Sequence, residues 1–197
     1  MARPRKITVE QILKAAQAVF LEKGFGASTN EIASRAGISE GSIFKRFATK
    51  EDLFLAAMGM SKVSNLTESI SAMAGQGEMK ANLKQIETEM LDFFQEMLPK
   101  MMMVRSKGLP IPAMIVGQGK APPIRLLKEL TAFFEQEMSL GRVRQDDPQT
   151  VAMLFMGSVT EYLFLSQIAA TLPEKEEYID SAVAILWRSI SPNEKDH

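Results

Sequence analysis

The chain contains no cysteine, so disulfides, thiolate nucleophiles and cysteine metal sites are excluded. It has one histidine, His197, the last of its 197 residues. A terminal imidazole is a poor base or ligand, and neither a Ser/His/Asp triad nor a histidine metal site can be built on it. No stretch approaches 18 uninterrupted apolar residues, and the N-terminus lacks an apolar run of signal-peptide length; the expected location is the cytoplasm. Internal repeats, glycine-rich phosphate loops and low-complexity segments are missing too. Carboxylates are plentiful, for example Glu87, Asp92, Glu96 and Glu161, but they form no recognised catalytic or metal constellation. The expectation is no catalytic residue, no metal, no cofactor and no enzyme.

What is present is an uneven charge. The net charge is −1, yet residues 1–50 hold nine Lys/Arg against four acids, and the remainder holds 14 against 20. A basic first quarter on an acidic body fits a polyanion-binding module, or else an unevenly charged surface. The arm Met1–Lys6 carries Arg3, Arg5 and Lys6. It would reach DNA phosphates or a minor groove, or hang as a tail.

Within the basic part, local signals predict helices. Thr8 and Gln11 have capping-box spacing before a helix over 8–23, with Ile12, Ala16, Val19 and Phe20 as its apolar stripe. Gly24 and Gly26 bracket Phe25, read as a core plug. Ser28 and Glu31 repeat the capping box before Thr29–Ala36, and Gly37 supplies a left-handed C-terminal cap. Ser39 is expected to cap a third helix over 40–47, with Ile43 and Phe47 inward. Two helices joined by a short glycine turn make a helix-turn-helix, whose second helix enters the DNA major groove. Thr49 and Asp52 then cap a fourth helix that begins at Lys50, where a cation opposes the helix dipole. A docked phosphate would account for that lysine; simple solvation is the alternative.

The DNA contacts expected from chemistry are Arg46 or Lys45 to guanine O6/N7 and the hydroxyls of Thr29, Ser39 and Ser42 to phosphates. Gly41 would let the backbone approach closely.

The run EIASRAGISEGSIFKRFATKEDLF resembles the DNA-binding signature of TetR-type (TetR/AcrR) transcriptional regulators. The likeness spans about the first 55 residues. It implies DNA contacts at the matching Thr29, Ser42, Phe44, Arg46 and Lys50. Two positions depart from the family pattern: Phe44 stands for a tyrosine, and Arg46 for a histidine or tyrosine. The Gly141–Pro148 run, GRVRQDDP, resembles the same family again.

The expected fold is therefore all-α: an N-terminal three-helix DNA-binding domain, residues 1–50, and a C-terminal helical ligand-binding and dimerisation domain, residues 51–197, with about nine helices in total. The fourth helix would run to Met58 and on toward Met73, a fifth from 78 to 98, a further one over 124–139, and the last two over about 148–170 and 173–191. Small residues Ala152, Gly157 and Ser158 would let the penultimate helix approach a partner closely. The resemblance implies that these last two helices pair two copies in a four-helix contact.

Fourteen methionines suggest an adaptable apolar pocket, although a methionine stripe at helical spacing is also plain core. The pocket candidates are Met90, Phe94, Met97, Met101, Met114, Phe134, Phe155 and Tyr162, with Glu161 as a buried acid that would select a cation. The Pro/Gly-rich stretch 108–123 would gate entry. The function expected is a repressor, released from a palindromic DNA operator when a small apolar or amphipathic effector binds the homodimer. The alternatives are a ligand-independent architectural or partner-recruiting DNA-binding protein, and a helical enzyme or carrier with a chance motif.

Overall fold

The structure, a computed structural model, describes residues 8–109 and 121–192. The basic arm, Met114 and most of the proposed gate therefore lie outside the described residues. Among the described residues there are nine α-helices, one 3-10 turn and no strand.

The first unit draws on Met1–Lys62 and Glu96–Gln118. Helix α1 (Val9–Lys23) begins at the Thr8–Gln11 capping box and buries Ile12, Ala15, Ala16, Val19 and Phe20. It packs on α2 (Thr29–Ala36) and α4 (Lys50–Ala57), and α2 packs on α3 (Glu40–Phe44). Phe20, Phe25 and Phe54 meet in a ring cluster, with Phe20–Phe54 edge to face at 5.0 Å.

The expected continuous helix from Lys50 toward Met73 is broken. Helix α4 stops at Ala57, Met60–Lys62 form a 3-10 turn, and α5 spans Val63–Met73. Gly59 causes the break, since its φ of +78° is left-handed and ends the helical path. A Cβ at Gly59 would also lie 2.8 Å from Glu96 Oε1. That carboxylate is held below its ordinary range, first by Lys62 and also by Lys100. Gly59→Ala is expected to lower the unfolding free energy by about 1–2 kcal/mol from backbone strain alone. Urea unfolding measures this, and a variant as stable as wild type would contradict it.

The second unit draws on Val63–Gln95 and Gly119–His197. Helix α6 spans Met79–Ser106 and passes from this unit into the first. Its expected end at Leu98, before Pro99, is wrong. Proline removes one backbone bond but does not stop the helix, because buried Met97 and Val104 flank it and the Glu96–Lys100 pair spans it. Its first turn is capped by the Glu78 carboxylate, which accepts from the Lys80 and Ala81 amides at 2.9 and 2.6 Å. Leu83, Ile86, Met90 and Phe94 are buried as their spacing predicts.

Helix α7 (Pro122–Ser139) packs on α5 and on α8 (Pro148–Leu165), and α9 spans Lys175–Ile190. Both α8 and α9 are shorter than expected: a turn follows Leu165, with the Ala169 amide donating to its carbonyl at 2.7 Å. Asp147 caps α8 through Thr150, as its position before Pro148 suggests. Among the described residues two carboxylates are fully buried, Glu87 and Glu137. Glu137 accepts from the Gly75 amide at 2.7 Å and from Arg142 Nε at 2.6 Å.

Candidate nucleic-acid interface

The α2–α3 pair is built by short-range chemistry. The Ser28 hydroxyl and Glu31 carboxylate satisfy each other's backbone amides, each at 3.2 Å. Gly37 then turns left-handed at φ +70°, and the Ile38 amide donates to the Ala33 carbonyl at 3.0 Å. Ile32, Ala33 and Ile43 are wholly buried, which fixes the opposite faces toward solvent. Phe47 is half-buried.

Acids engage Lys23 and Arg35 of the basic module. Lys23 pairs with Glu31 at 2.6 Å and Arg35 with Glu22 at 2.8 Å. Arg35 holds the Glu22 carboxyl below its ordinary range, and Lys23 does the same to Glu31. Lys45 and Arg46 are exposed just after α3, beside Phe44, which is 45% exposed. An arginine, a lysine and an aromatic ring on one rim can donate to base edges and phosphates and pack on a thymine methyl. Arg46 Nη1 donates to the Ser42 carbonyl at 3.0 Å, folding the guanidinium back along the helix.

The three hydroxyls are less simply arranged than expected. Ser39 occupies the N-cap position of α3 with extended backbone, but its side chain makes no cap bond. Instead its Oγ meets Ser42 Oγ at 2.9 Å. Thr29 donates to the Glu40 carboxylate, tying the start of α2 to the start of α3. Glu40 is a contact that sequence reasoning missed, because eleven positions in sequence carry no periodic signal. A Cβ at Gly41 would meet nothing within 4 Å, so the backbone there lies open.

Lys50 is neither fully solvated nor left against the helix dipole without compensation. Its Nζ lies 4.6 Å from the centroid of the Phe25 ring. Helix α2, eight residues from Thr29 to Ala36, and the cap at Gly37 thus present α3, while Thr49 and Asp52 cap the helix that carries Lys50.

The residues named for a ligand pocket divide between the two units. Met90, Phe94, Phe134 and Phe155 are buried in the second, where Phe134 and Phe155 meet edge to face at 6.0 Å. Met97 is buried and Met101 half-buried on the part of α6 that belongs to the first. Tyr162 stacks on Tyr178 at 4.2 Å and donates to the Pro173 carbonyl at 3.0 Å. Glu161 is exposed, which corrects the expectation of a buried acid there. The buried and unpaired acid is Glu87, on α6. Among the described residues neither of its oxygens has a hydrogen-bond partner. Ser158 eases its environment, but that hydroxyl donates to the Phe155 carbonyl at 2.7 Å. Burial pushes the Glu87 carboxyl up to about 8. Between α8 and α9 runs a groove of about 510 Å³, lined by Val151, Leu154, Phe155, Ser158, Tyr178 and Ile185 among others.

A capped helix, a left-handed glycine and a short second helix rimmed by Phe44, Lys45 and Arg46 define a helix-turn-helix DNA-binding protein. Comparison with known sequences narrows this. Residues 12–57 match the bacterial regulatory proteins of the tetR family, and residues 81–189 match the C-terminal domain of AefR-like transcriptional repressors. The chain belongs to the TetR family of transcriptional regulators.

Over 91 residues it is 38% identical to the uncharacterized HTH-type transcriptional regulator YerO of Bacillus subtilis (strain 168), covering 43% of this chain and 30% of that one. Over 56 residues it is 45% identical to the HTH-type transcriptional repressor BepR of Brucella suis biovar 1 (strain 1330), covering 28% and 27%. The chain thus spans less than half the length of these curated relatives. The fold matches that of SmeT in its triclosan complex, with a TM-score of 0.64 at 20% identity over 94% of this chain and 92% of that chain. FadR of Bacillus subtilis, in complex with stearoyl-CoA, gives 0.61 at 18% identity over 91% and 97%.

Proposed function

We propose that the protein is a ligand-responsive repressor that binds a palindromic operator as a homodimer and leaves it when a small apolar or amphipathic effector binds. The observation that carries the DNA half is the exposed rim of Phe44, Lys45 and Arg46 beside the buried Ile43. Residues 1–50 form the DNA-binding domain in this reading and 51–197 the effector and dimerisation domain. One recognition helix is too small for specific binding, so two half-sites about 34–36 Å apart are read by a symmetric pair. The pairing face is α8 with α9, which expose Met153, Leu154, Phe164 and Ile185, and of these Leu154 and Ile185 line the groove. Such exposed apolar side chains in one area favour a protein partner.

The effector half is supported by the shared fold with regulators solved with triclosan and with stearoyl-CoA. The effector acts by binding one conformation of the body more tightly than another. Met90, Phe94, Phe134, Phe155 and Tyr162, all within the second unit, are the lining proposed here. The near-complete burial of Met90, Phe94 and Phe134 favours a second reading, a packed body with no effector. A thermal-shift panel of apolar and amphipathic compounds separates the two, since the second reading expects no shift.

Arg46→Ala tests the DNA assignment. On a duplex selected by the wild-type protein from a random library, the variant is expected to bind about 10- to 100-fold more weakly, the loss of one bidentate base contact. Its sedimentation as a folded dimer should not change. Undiminished affinity would remove Arg46 from the interface.

A further inference from the structure

Phe25 is the aromatic residue of the basic module whose ring lies under the Lys50 ammonium. It sits in the turn between α1 and α2, bracketed by Gly24 (φ +73°) and Gly26, so the backbone can present its ring without crowding. The edge-to-face contact with Phe54 at 5.4 Å and 87° fixes the ring's tilt. Phe54 in turn meets the buried Phe20 at 5.0 Å.

Lys50 lies four residues before Phe54 on α4, so the two share a helix face. Phe54 therefore reaches Phe25 from the same helix that brings the Lys50 ammonium over its ring, 4.6 Å from the centroid. No carboxylate among the described residues pairs with that ammonium. Asp52, the nearby acid that would compete, accepts the Thr49 amide at 3.1 Å in the capping box.

The physical consequence is directional. A lysine at the first position of a helix is repelled by the dipole and tends to swing away into water. An aromatic face attracts the ammonium through its quadrupole while leaving the other hydrogen donors free. The charge is then held at the N-terminus of α4, next to amides that also attract a phosphate. Fixing a lysine before binding removes part of the rotamer entropy that ordering it would otherwise cost.

We propose that Phe25 is a positioning residue for DNA binding, whose ring holds the Lys50 ammonium ready for a backbone phosphate. This rests on the DNA-binding reading above. Phe25 itself touches no DNA. Phosphate contacts act alike on all sequences, so Phe25 affects affinity and salt dependence and leaves base preference alone.

The test is a double-mutant cycle on a duplex selected by the wild-type protein, with affinity measured across a salt titration. Lys50→Ala is expected to weaken binding about tenfold at low salt and to reduce the salt slope by about one phosphate contact. Phe25→Leu is expected to weaken it about two- to fivefold, the range of an exposed cation–π contact. In the Lys50→Ala background, Phe25→Leu should cost nothing more. Phe25→Tyr, which keeps the ring, should bind like wild type. Phe25→Met takes the place of Phe25→Leu if the latter melts below the assay temperature.

An equal loss from Phe25→Leu in both backgrounds would make Phe25 a packing residue only and overturn the proposal. So would wild-type binding by Phe25→Leu, or a Phe25→Tyr loss as large as that of Phe25→Leu. If Lys50→Ala weakens binding and Phe25→Leu does not, the positioning role alone falls. If no duplex can be selected, the DNA reading falls and takes the proposal with it.

Discussion

Arg142→Ala is expected to lower the unfolding free energy by about 3–5 kcal/mol, the cost of leaving a buried charge without its partner. Glu137 is fully buried on α7, and Arg142 Nε reaches its Oε2 at 2.6 Å. The same guanidinium donates from Nη2 to the Gln76 and Gly77 carbonyls at 2.8 and 3.1 Å. Removing it therefore takes a donor from three acceptors, one of them charged, around the α5–α6 turn, although the Gln76 carbonyl keeps Asn82 Nδ2 at 2.7 Å. The Gly75 amide would still donate to Glu137 Oε1, which keeps one oxygen satisfied and sets the lower end of the range. Replacing both partners together, as Glu137→Leu with Arg142→Leu, should cost less than Arg142→Ala, because no charge is then stranded. Urea unfolding at neutral pH decides the matter. A loss under about 1 kcal/mol, the range of an exposed ion pair, would show that the pair is solvated.

The second large effect concerns Glu87 and has a sign that can be worked out. Its carboxyl is pushed up to about 8 by burial, against 4.5 for the ordinary group. Between those values the native state holds a proton that the unfolded chain releases. Stability then falls as pH rises through this window and levels off above it. The expected fall is on the order of 2–4 kcal/mol, below the ideal limit because water penetrates when buried groups ionise. Glu87→Gln should abolish that slope and make the protein more stable than wild type at pH 8. Other groups do not confuse the result. Glu22, Glu31, Glu96 and Asp147 are shifted down, first by Arg35, Lys23, Lys62 and Thr150 respectively, so their contributions are lost only in acid. Tyr178, raised chiefly by burial, titrates above the window. Parallel stability curves for wild type and Glu87→Gln between pH 5 and 8 would refute the burial of an unpaired acid.

What the sequence disclosed depended on how far apart the interacting residues lie. The caps at Thr8, Ser28, Thr49 and Asp147 were legible because each closes within three residues. The break at Gly59 was visible in principle, since a glycine stands in the middle of an otherwise helical run. Pro99 misled because a local stop signal was outweighed by burial on both sides of it. The acids are instructive. Glu87 lies four residues after Leu83 and three before Met90, squarely on the buried stripe of α6, so its register carried the information that Glu161 did not. Glu137 lies four residues after Phe133 and three after Phe134, likewise on the buried face of α7. The Phe25–Lys50 and Thr29–Glu40 contacts join separate helices or turns and left no mark on periodicity.

The passage of α6 from one unit into the other bears on how the chain is made. Residues 96–109 complete the first unit although they follow the first part of the second. Lys107 Nζ donates to the Leu21 carbonyl at 2.8 Å, and Leu109 lies against Gly24. During synthesis the helix-turn-helix emerges first, yet the side chains that meet the end of α1 and the turn after it emerge some fifty residues after Lys62 at most. A fragment ending at Lys62 thus lacks the Lys107 donor to the Leu21 carbonyl and the Leu109 side chain beside Gly24. Interleaving of this kind raises the sequence separation of the contacts and slows folding, and it binds the maturation of the first unit to translation of the segment that follows it.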